Sequence, residues 1–272
     1  MTSAKIKVGI IGGSGLDNPD LLTRQKSIDL DTPFGQPSSS INTGKIGEVE
    51  VAIIARHGKN HSLMPGKVPY QANVWALKQV GCSHILATTA CGSLQKNFRP
   101  GDLVFIDQFI DFTKHRNPTF YQDHVIHTPM ADPFCYNLRQ RLTATAKELK
   151  LPHHSQGTIV TIEGPRFSTR AESKMFRSWQ ADVINMSTVP EVTLAREIGI
   201  CYQSIAMVTD YDCWKEKEAP VTWEMVMEQM NKNIGNIKKL LLAVLPKIDF
   251  YACDCKKTTA DMAEYETKKP VQ

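Results

Sequence analysis

Apolar and polar positions along this chain follow two periods. Short, dense apolar runs bounded by glycine, proline or small polar residues read as buried strands, and stretches with apolar residues every three or four positions read as amphipathic helices. The run over residues 200–208, Ile-Cys-Tyr-Gln-Ser-Ile-Ala-Met-Val, is strand-like and too short to cross a membrane. Similar runs predict strands over 6–11, 49–55, 84–89, 103–106, 158–162 and 183–186. The helical period predicts helices over 69–80, 132–149, 169–179, 188–199 and 222–245. Pro69 and Gly81 bracket the first of these as start and stop signals. Leu138, Leu142, Ala146 and Leu149 mark the inner face of the second. Val226, Met230, Ile234, Ile237, Leu241 and Val244 mark that of the last, which Pro246 closes. Thr169 with Glu172 and Thr188 with Glu191 have capping-box spacing. Strands alternating with helices predict a single α/β domain over 1–246, its central mixed, mostly parallel sheet covered by helices. Residues 247–272 form a polar tail, read as covering the active site or partly disordered.

Bulk composition narrows the partners. The chain has 272 residues, 42% of them hydrophobic and 22% charged, as in an ordinary globular protein. A formal net charge of +4 without any basic run interleaved with aromatics argues against nucleic acid as a partner. Lacking a signal peptide or long apolar span, the sequence predicts no membrane association and a cytoplasmic location, with the nucleus open to a chain of this size. Seven dispersed cysteines read as reduced thiols. Cys253 and Cys255 are the one close pair, and a metal or redox role for them needs further ligands that the linear sequence does not reveal. His124 and His127 have no third ligand at zinc-like spacing, and His153 and His154 read as a solvated turn. The expectation is therefore no metal and no organic cofactor.

Candidate chemistry gathers where strands end, which in open α/β sheets is where ligands bind. Gly12-Gly13-Ser14-Gly15 offers bare backbone N–H groups and a hydroxyl, but it lacks the Gly-Lys-Ser/Thr of a phosphate-binding loop and the third glycine of a dinucleotide fingerprint. Arg56 and His57 add a forked cation and a second donor. Thr89 adds a hydroxyl, Ala90 a backbone N–H, and Ser187 a further hydroxyl. Asp210 and Asp212 follow the 200–208 run. Two close carboxylates titrate apart, so that one can carry a proton at neutral pH. For an isolated Asp-x-Asp the simpler reading is that Asp210 does no more than cap a turn. Together these strand ends suggest a phosphate site built from separate loops.

The motifs around these residues resemble, in order, those of the methylthioadenosine phosphorylase branch of the trimeric purine nucleoside phosphorylase family. They are 9–16 (GIIGGSGL), 55–58 (ARHG), 88–93 (TTACGS), 161–168 (TIEGPRFS), 185–191 (NMSTVPE) and 209–214 (TDYDCW), and the likeness spans roughly residues 7–245. The resemblance implies a phosphorylase-like α/β fold and phosphorolysis of 5′-methylthioadenosine to adenine and 5-methylthioribose 1-phosphate. It implies phosphate held by Ser14, Arg56, His57, Thr89, Ala90 and Ser187. It sets Met186 under the ribose, Phe167 near the base, and Asp210 with Asp212 facing N7 and the 6-amino group. Ser168 and Trp223 flank the region that sets purine and 5′-substituent preference. His127 would come from a neighbouring subunit of a homotrimer. Inorganic phosphate is the nucleophile, so the resemblance too implies no cofactor.

Three positions depart from the pattern. Ser14 and Ser187 stand where relatives usually carry Thr, and Trp223 where they carry a small aliphatic residue. Trp223 either packs on a neighbour at the start of its helix or narrows the 5′ pocket. Two alternatives follow: a purine nucleoside phosphorylase of broader or different specificity, and a non-catalytic nucleoside-binding protein. Intact Asp210, Arg56 and His57 argue against the second.

Overall fold

Unbroken apolar runs give strands buried on both faces, which only a sheet covered on both sides can satisfy. The computed structural model describes residues 6–12, 22–123, 125–216, 221–249 and 253–256. Its strands are β1 (Lys7–Gly12), β2 (Thr23–Ile28), β3 (Ile41–Ile46), β4 (Val49–Ala55), β5 (His84–Ser93), β6 (Leu103–Phe105), β7 (Gln108–Phe112), β8 (His153–His154), β9 (Thr158–Ile162), β10 (Val183–Asn185) and β11 (Cys201–Asp210). Its helices are α1 (Tyr70–Gln79), α2 (Tyr136–Glu148), α3 (Arg170–Ser178), α4 (Thr188–Glu197) and α5 (Trp223–Val244).

All eleven strands belong to one mixed sheet. Parallel pairs join β1 to β4 and β5, β5 to β11, β9 to β7 and β10, and β6 to β8. Antiparallel pairs join β2 to β3, β3 to β4, β5 to β10 and β6 to β11. The fold is thus the single α/β domain expected, mixed and mostly parallel. β5 is its hub, pairing with β11 along its length, with β1 over its first residues and with β10 at its carboxyl end. β11 is buried at every position. Its alternate residues serve two cores: Tyr202, Ala206 and Val208 pack with α1 and α4, while Cys201, Ile205 and Met207 pack with α2 and α5. No helix among the described residues is long and apolar enough to cross a membrane.

Several local expectations are corrected. β2, β3 and β7 escape the apolar pattern because their burial is incomplete. β2 is exposed at five of its six positions and bears Arg24 and Lys26, as suits an edge strand protected by charge. α2 begins at Tyr136 rather than near Asp132, because Cys135 is extended and its N–H donates to the Tyr202 carbonyl at 2.9 Å. Leu149, past the end of α2, is exposed. Asn233 replaces Ile234 on the buried stripe of α5, its side chain reaching Gln229 at 3.1 Å and the Val208 carbonyl at 3.4 Å. His153 and His154 form a strand, with His154 stacked on Phe98 at 3.8 Å and bonded to Asp102 at 2.9 Å. The Thr169–Glu172 capping box forms. The Thr188–Glu191 box does not: the residue before a proline is driven out of helical geometry, Val189 is extended, and Ser187 is the N-cap.

Candidate active site

Where β4, β5, β10 and β11 end, and α5 begins, their residues surround a cavity of about 940 Å³ including its mouth. Arg56, His57, Thr89, Ala90, Met186, Ser187, Phe167, Ser168, Asp210, Asp212 and Trp223, all nominated from sequence, line it. Ser14 lies outside the described residues. Gly12, just before it, is hydrogen-bonded to Arg56, whose N–H reaches the Gly12 carbonyl at 3.0 Å. His127 is exposed and is not among the residues lining this chain's cavity.

Arg56 is 2% exposed, and a partner the sequence did not suggest holds it in place. Glu191 accepts from its Nε at 2.5 Å and from its Nη2 at 2.9 Å, while Nη1 donates to the Thr88 carbonyl at 2.7 Å. Burial alone would lower the guanidinium pKa; the Glu191 carboxylate outweighs it and holds the value above the ordinary range. Tyr202 also donates to Glu191, at 2.9 Å. Three of the five guanidinium N–H groups are thereby committed, which leaves two for a ligand in a fork that is already rigid. The apparent capping residue is instead the counter-charge of the buried Arg56 guanidinium. The signal was a glutamate inside a segment broken by Pro190, where a helix cap is improbable.

His57 behaves differently from the donor expected. Burial, then the Arg56 cation, lowers its pKa to about 4, so the ring is neutral at pH 7. Its Nδ1 lies 2.9 Å from the Leu63 carbonyl, which accepts only, so Nδ1 carries the proton and Nε2 is an acceptor. His61 stacks on this ring at 4.2 Å and lies 5.2 Å from Trp223. Trp223 therefore both packs on a neighbour and lines the mouth of the cavity.

Thr89 and Ser187 bring their hydroxyls within 3.0 Å of each other. Asn185, buried at the end of β10, organises the pair: it donates to Thr89 at 3.0 Å and Thr188 at 2.8 Å, and accepts from Thr161 at 2.8 Å. Met186 sits beside Gly164, whose φ of +67° and lack of side chain are both required, because a Cβ there would lie 2.5 Å from the methionine sulfur.

The carboxylates depend on an irregularity in β11. Val208 pairs with Cys91 and Asp210 with Gly92, so Thr209 is an extra residue and the strand's alternation shifts by one. Asp210 Oδ1 accepts from the Asp212 N–H at 2.7 Å, and Oδ2 lies 2.6 Å from the Thr209 hydroxyl. Asp210 thus does cap a turn, with Asp212 at φ +50°, while also lining the cavity. Burial chiefly, and the Asp212 charge to a lesser degree, push its pKa up to about 6 against those two hydrogen bonds. Burial raises Asp212 as well. Gly92 allows the close packing, for a Cβ there would lie 3.0 Å from Asp210 Oδ1 and 3.3 Å from the Asp212 Cβ.

A preorganised guanidinium fork and a carboxyl with a raised pKa, lining one cavity, are parts that could displace a basic leaving group with an anion. Comparison with known proteins agrees. Residues 7–246 match the phosphorylase superfamily. The S-methyl-5′-thioadenosine phosphorylase of Danio rerio is 54% identical over 255 residues, 91% of each chain. That of Pyrococcus furiosus is 52% identical over 251 residues, covering 92% of this chain and 96% of its own. Methylthioadenosine phosphorylase from Schistosoma mansoni, solved with adenine, superposes with a TM-score of 0.89 at 43% identity, covering 97% of this chain and 99% of its own. A variant described as an adenosine/methylthioadenosine phosphorylase from the same organism, solved with methylthioadenosine, gives 0.88 at 42% identity over 97% and 99%. This chain belongs to the phosphorylase superfamily and, within it, to the S-methyl-5′-thioadenosine phosphorylases.

Proposed function

We propose that the cavity holds 5′-methylthioadenosine and inorganic phosphate together and that Asp210, in its protonated form, is the general acid of phosphorolysis. A phosphate oxygen bonds to C1′ as the C1′–N9 bond breaks. The bonding pair leaves with the base, and Asp210 gives its proton to N7. The products are adenine and 5-methylthioribose 1-phosphate. The observation that carries this reading is a carboxyl with its pKa at about 6 in the same cavity as a preorganised guanidinium fork.

The two uncommitted N–H groups of Arg56 and the Thr89 and Ser187 hydroxyls bind and orient phosphate. Neutral His57 accepts the proton of hydrogen phosphate at Nε2, which turns the ionised oxygens toward C1′. A carboxylate also suits the exocyclic amine of adenine, whereas a 6-oxopurine presents an acceptor there. Phe167 and Met186 supply apolar surface for base and ribose, with Ser168 and Asp212 beside them. His127 of a neighbouring protomer completes the 5′ end in a homotrimer, and Trp223 adjusts the fit of the 5′ substituent.

The test is purine release from methylthioadenosine, adenosine and inosine, each with and without phosphate. Phosphate-dependent adenine release from methylthioadenosine, with little from inosine, is the expected result. The second name of the Schistosoma mansoni enzyme makes adenosine the informative comparison, because equal turnover of adenosine would favour the broader specificity. Release independent of phosphate would mean that Arg56 and His57 do not hold the nucleophile. Sedimentation tests the trimer, and a mixture of His127→Ala and Asp210→Asn chains should regain activity only if sites are shared between protomers.

A further inference from the structure

Cys253 and Cys255 belong to the tail, and their missing partners come from elsewhere in the fold. Cys135 is the N-cap of α2, and Cys201 is the first residue of β11. The four Sγ atoms all lie within 4.8 Å of one another. Cys201 and Cys253 approach to 3.1 Å, and no sulfur–sulfur bond joins any of the four. Cys135, Cys201 and Cys255 are buried and Cys253 is half-buried.

We propose that Cys135, Cys201, Cys253 and Cys255 bind one thiophilic divalent cation, zinc, as a structural clasp that ties the tail to the amino-terminal end of β11. The geometry favours one shared centre. A tetrahedral zinc with Zn–S bonds of about 2.3 Å sets its sulfurs about 3.8 Å apart, between the 3.1 Å of Cys201 and Cys253 and the 4.8 Å that bounds all four. Cys201 and Cys253 come close as a pair, but a disulfide between them would not account for the other two sulfurs, whereas mutual proximity of all four is what a single central atom imposes. The spacing fits as well: a Cys-x-Cys pair from one turn meets two cysteines held rigidly by regular structure. Cys135 is anchored through its N–H to the carbonyl of Tyr202, the neighbour of Cys201. The backbone N–H groups of Leu138 and Cys255 face the sulfurs of Cys135 and Cys253, as expected around metal-bound thiolates.

Guanidinium groups lie beside the cluster, where they can face the net negative charge of a tetrathiolate centre. Arg141 lines a pocket with Cys135 and Cys253, and Arg139 and Arg196 line another with Cys253 and Cys255. The Nε of Arg196 is buried with no hydrogen-bond partner. Asp107, Asp132 and Asp249 are the acidic residues of these pockets, and Asp249 pairs with Arg141 at 3.3 Å. The site is structural, since all four ligand positions are filled by protein and no position remains for water or substrate.

The full-length protein, prepared under reductant with zinc available, is assayed for metal by elemental analysis. One equivalent of zinc per chain is expected, absent from Cys253→Ser and Cys255→Ser. Replacement by cobalt should give the thiolate charge-transfer and tetrahedral ligand-field bands. Removing zinc with a strong chelator should lower the Tm of the wild type by roughly 5 °C or more, with phosphorolysis below that temperature changed less than twofold. Thiol titration in denaturant without reductant identifies the opposing outcomes. All seven cysteines titrating, with no bound metal, overturns the proposal in favour of simple thiols. Three titrating, with no metal, overturns it in favour of two disulfides.

Discussion

β11 carries polar chemistry at both ends, and the two ends obey different rules. At its carboxyl end Asp210 is buried, with its protonation displaced toward neutrality and its strand distorted by a bulge. At its amino end, nine residues and about 30 Å away, Cys201 starts a regular strand and meets three other sulfurs. The first end holds a group in an unfavourable state that a substrate can use. The second gathers four thiols, whose mutual proximity adds stability through the proposed metal clasp. One strand can serve both because its buried middle separates them. The described part of the tail packs at the cysteine end, so those residues do not cover this chain's own cavity.

The largest expected effect follows from breaking the acid end. Asp210→Asn should lower kcat/KM by about 10²- to 10⁴-fold and at the same time stabilise the protein. The folded pKa of about 6 lies above the 3.8 of an ordinary aspartate. The wild type is therefore favoured fully below about pH 4 and loses that contribution as pH rises through 6. At 1.36 kcal/mol per pKa unit, the cost at pH 8 is up to about 3 kcal/mol. Asn avoids it, and its amide can still donate to Thr209 and accept from the Asp212 N–H. Denaturant unfolding at pH 8 and pH 4 checks the sign: the variant should gain at pH 8 and not at pH 4. In the wild type, kcat/KM at constant phosphate dianion should fall as pH rises above about 6.

Glu191→Ala should be nearly as damaging, through stability. It leaves Arg56 buried without its counter-charge, a loss of about 3–5 kcal/mol, measured as a lower urea midpoint. Surviving enzyme should show a raised KM for phosphate more than for nucleoside. Equal changes in both would mean that Glu191 supports the whole cavity and not the clamp.

How much of this was legible in the sequence differs between the two ends. Strands with unbroken apolar runs, such as β9 and β11, are predicted nearly to the residue, because burial on both faces leaves no polar interruption. The cavity residues were legible because strand ends and a family's ordered motifs mark them. Glu191 and Asn185 were not: their partners, Arg56 and Thr89, lie 135 and 96 residues away, and local spacing offered a cap instead. The cysteine cluster was illegible for the same reason. Its members are separated by three helices and three strands between Cys135 and Cys201, and by β11 and α5 before Cys253, so linear spacing shows only Cys253 and Cys255.

Smaller effects sharpen the picture. Trp223→Val should change the ratio of kcat/KM between methylthioadenosine and nucleosides with other 5′ groups by about 10-fold or more. An unchanged ratio would leave Trp223 as a packing partner of His61 alone. Gly92→Ala pushes a methyl toward Asp210 Oδ1 and should reduce kcat about 10-fold, with a smaller effect on phosphate KM.

The smallest expected effect tests the comparison itself. If the two ends of β11 are independent, the double variant Asp210→Asn with Cys255→Ser should show the sum of the single effects on unfolding free energy within about 0.5 kcal/mol. The separation of about 30 Å and the absence of shared partners among the described residues require this additivity. A larger coupling would mean that the strand transmits strain from the cysteine cluster to the bulge at Thr209. The stabilisation gained from Asp210→Asn would then depend on whether the tail is clasped, which unfolding of the single and double variants at pH 8, with and without chelator, would reveal directly.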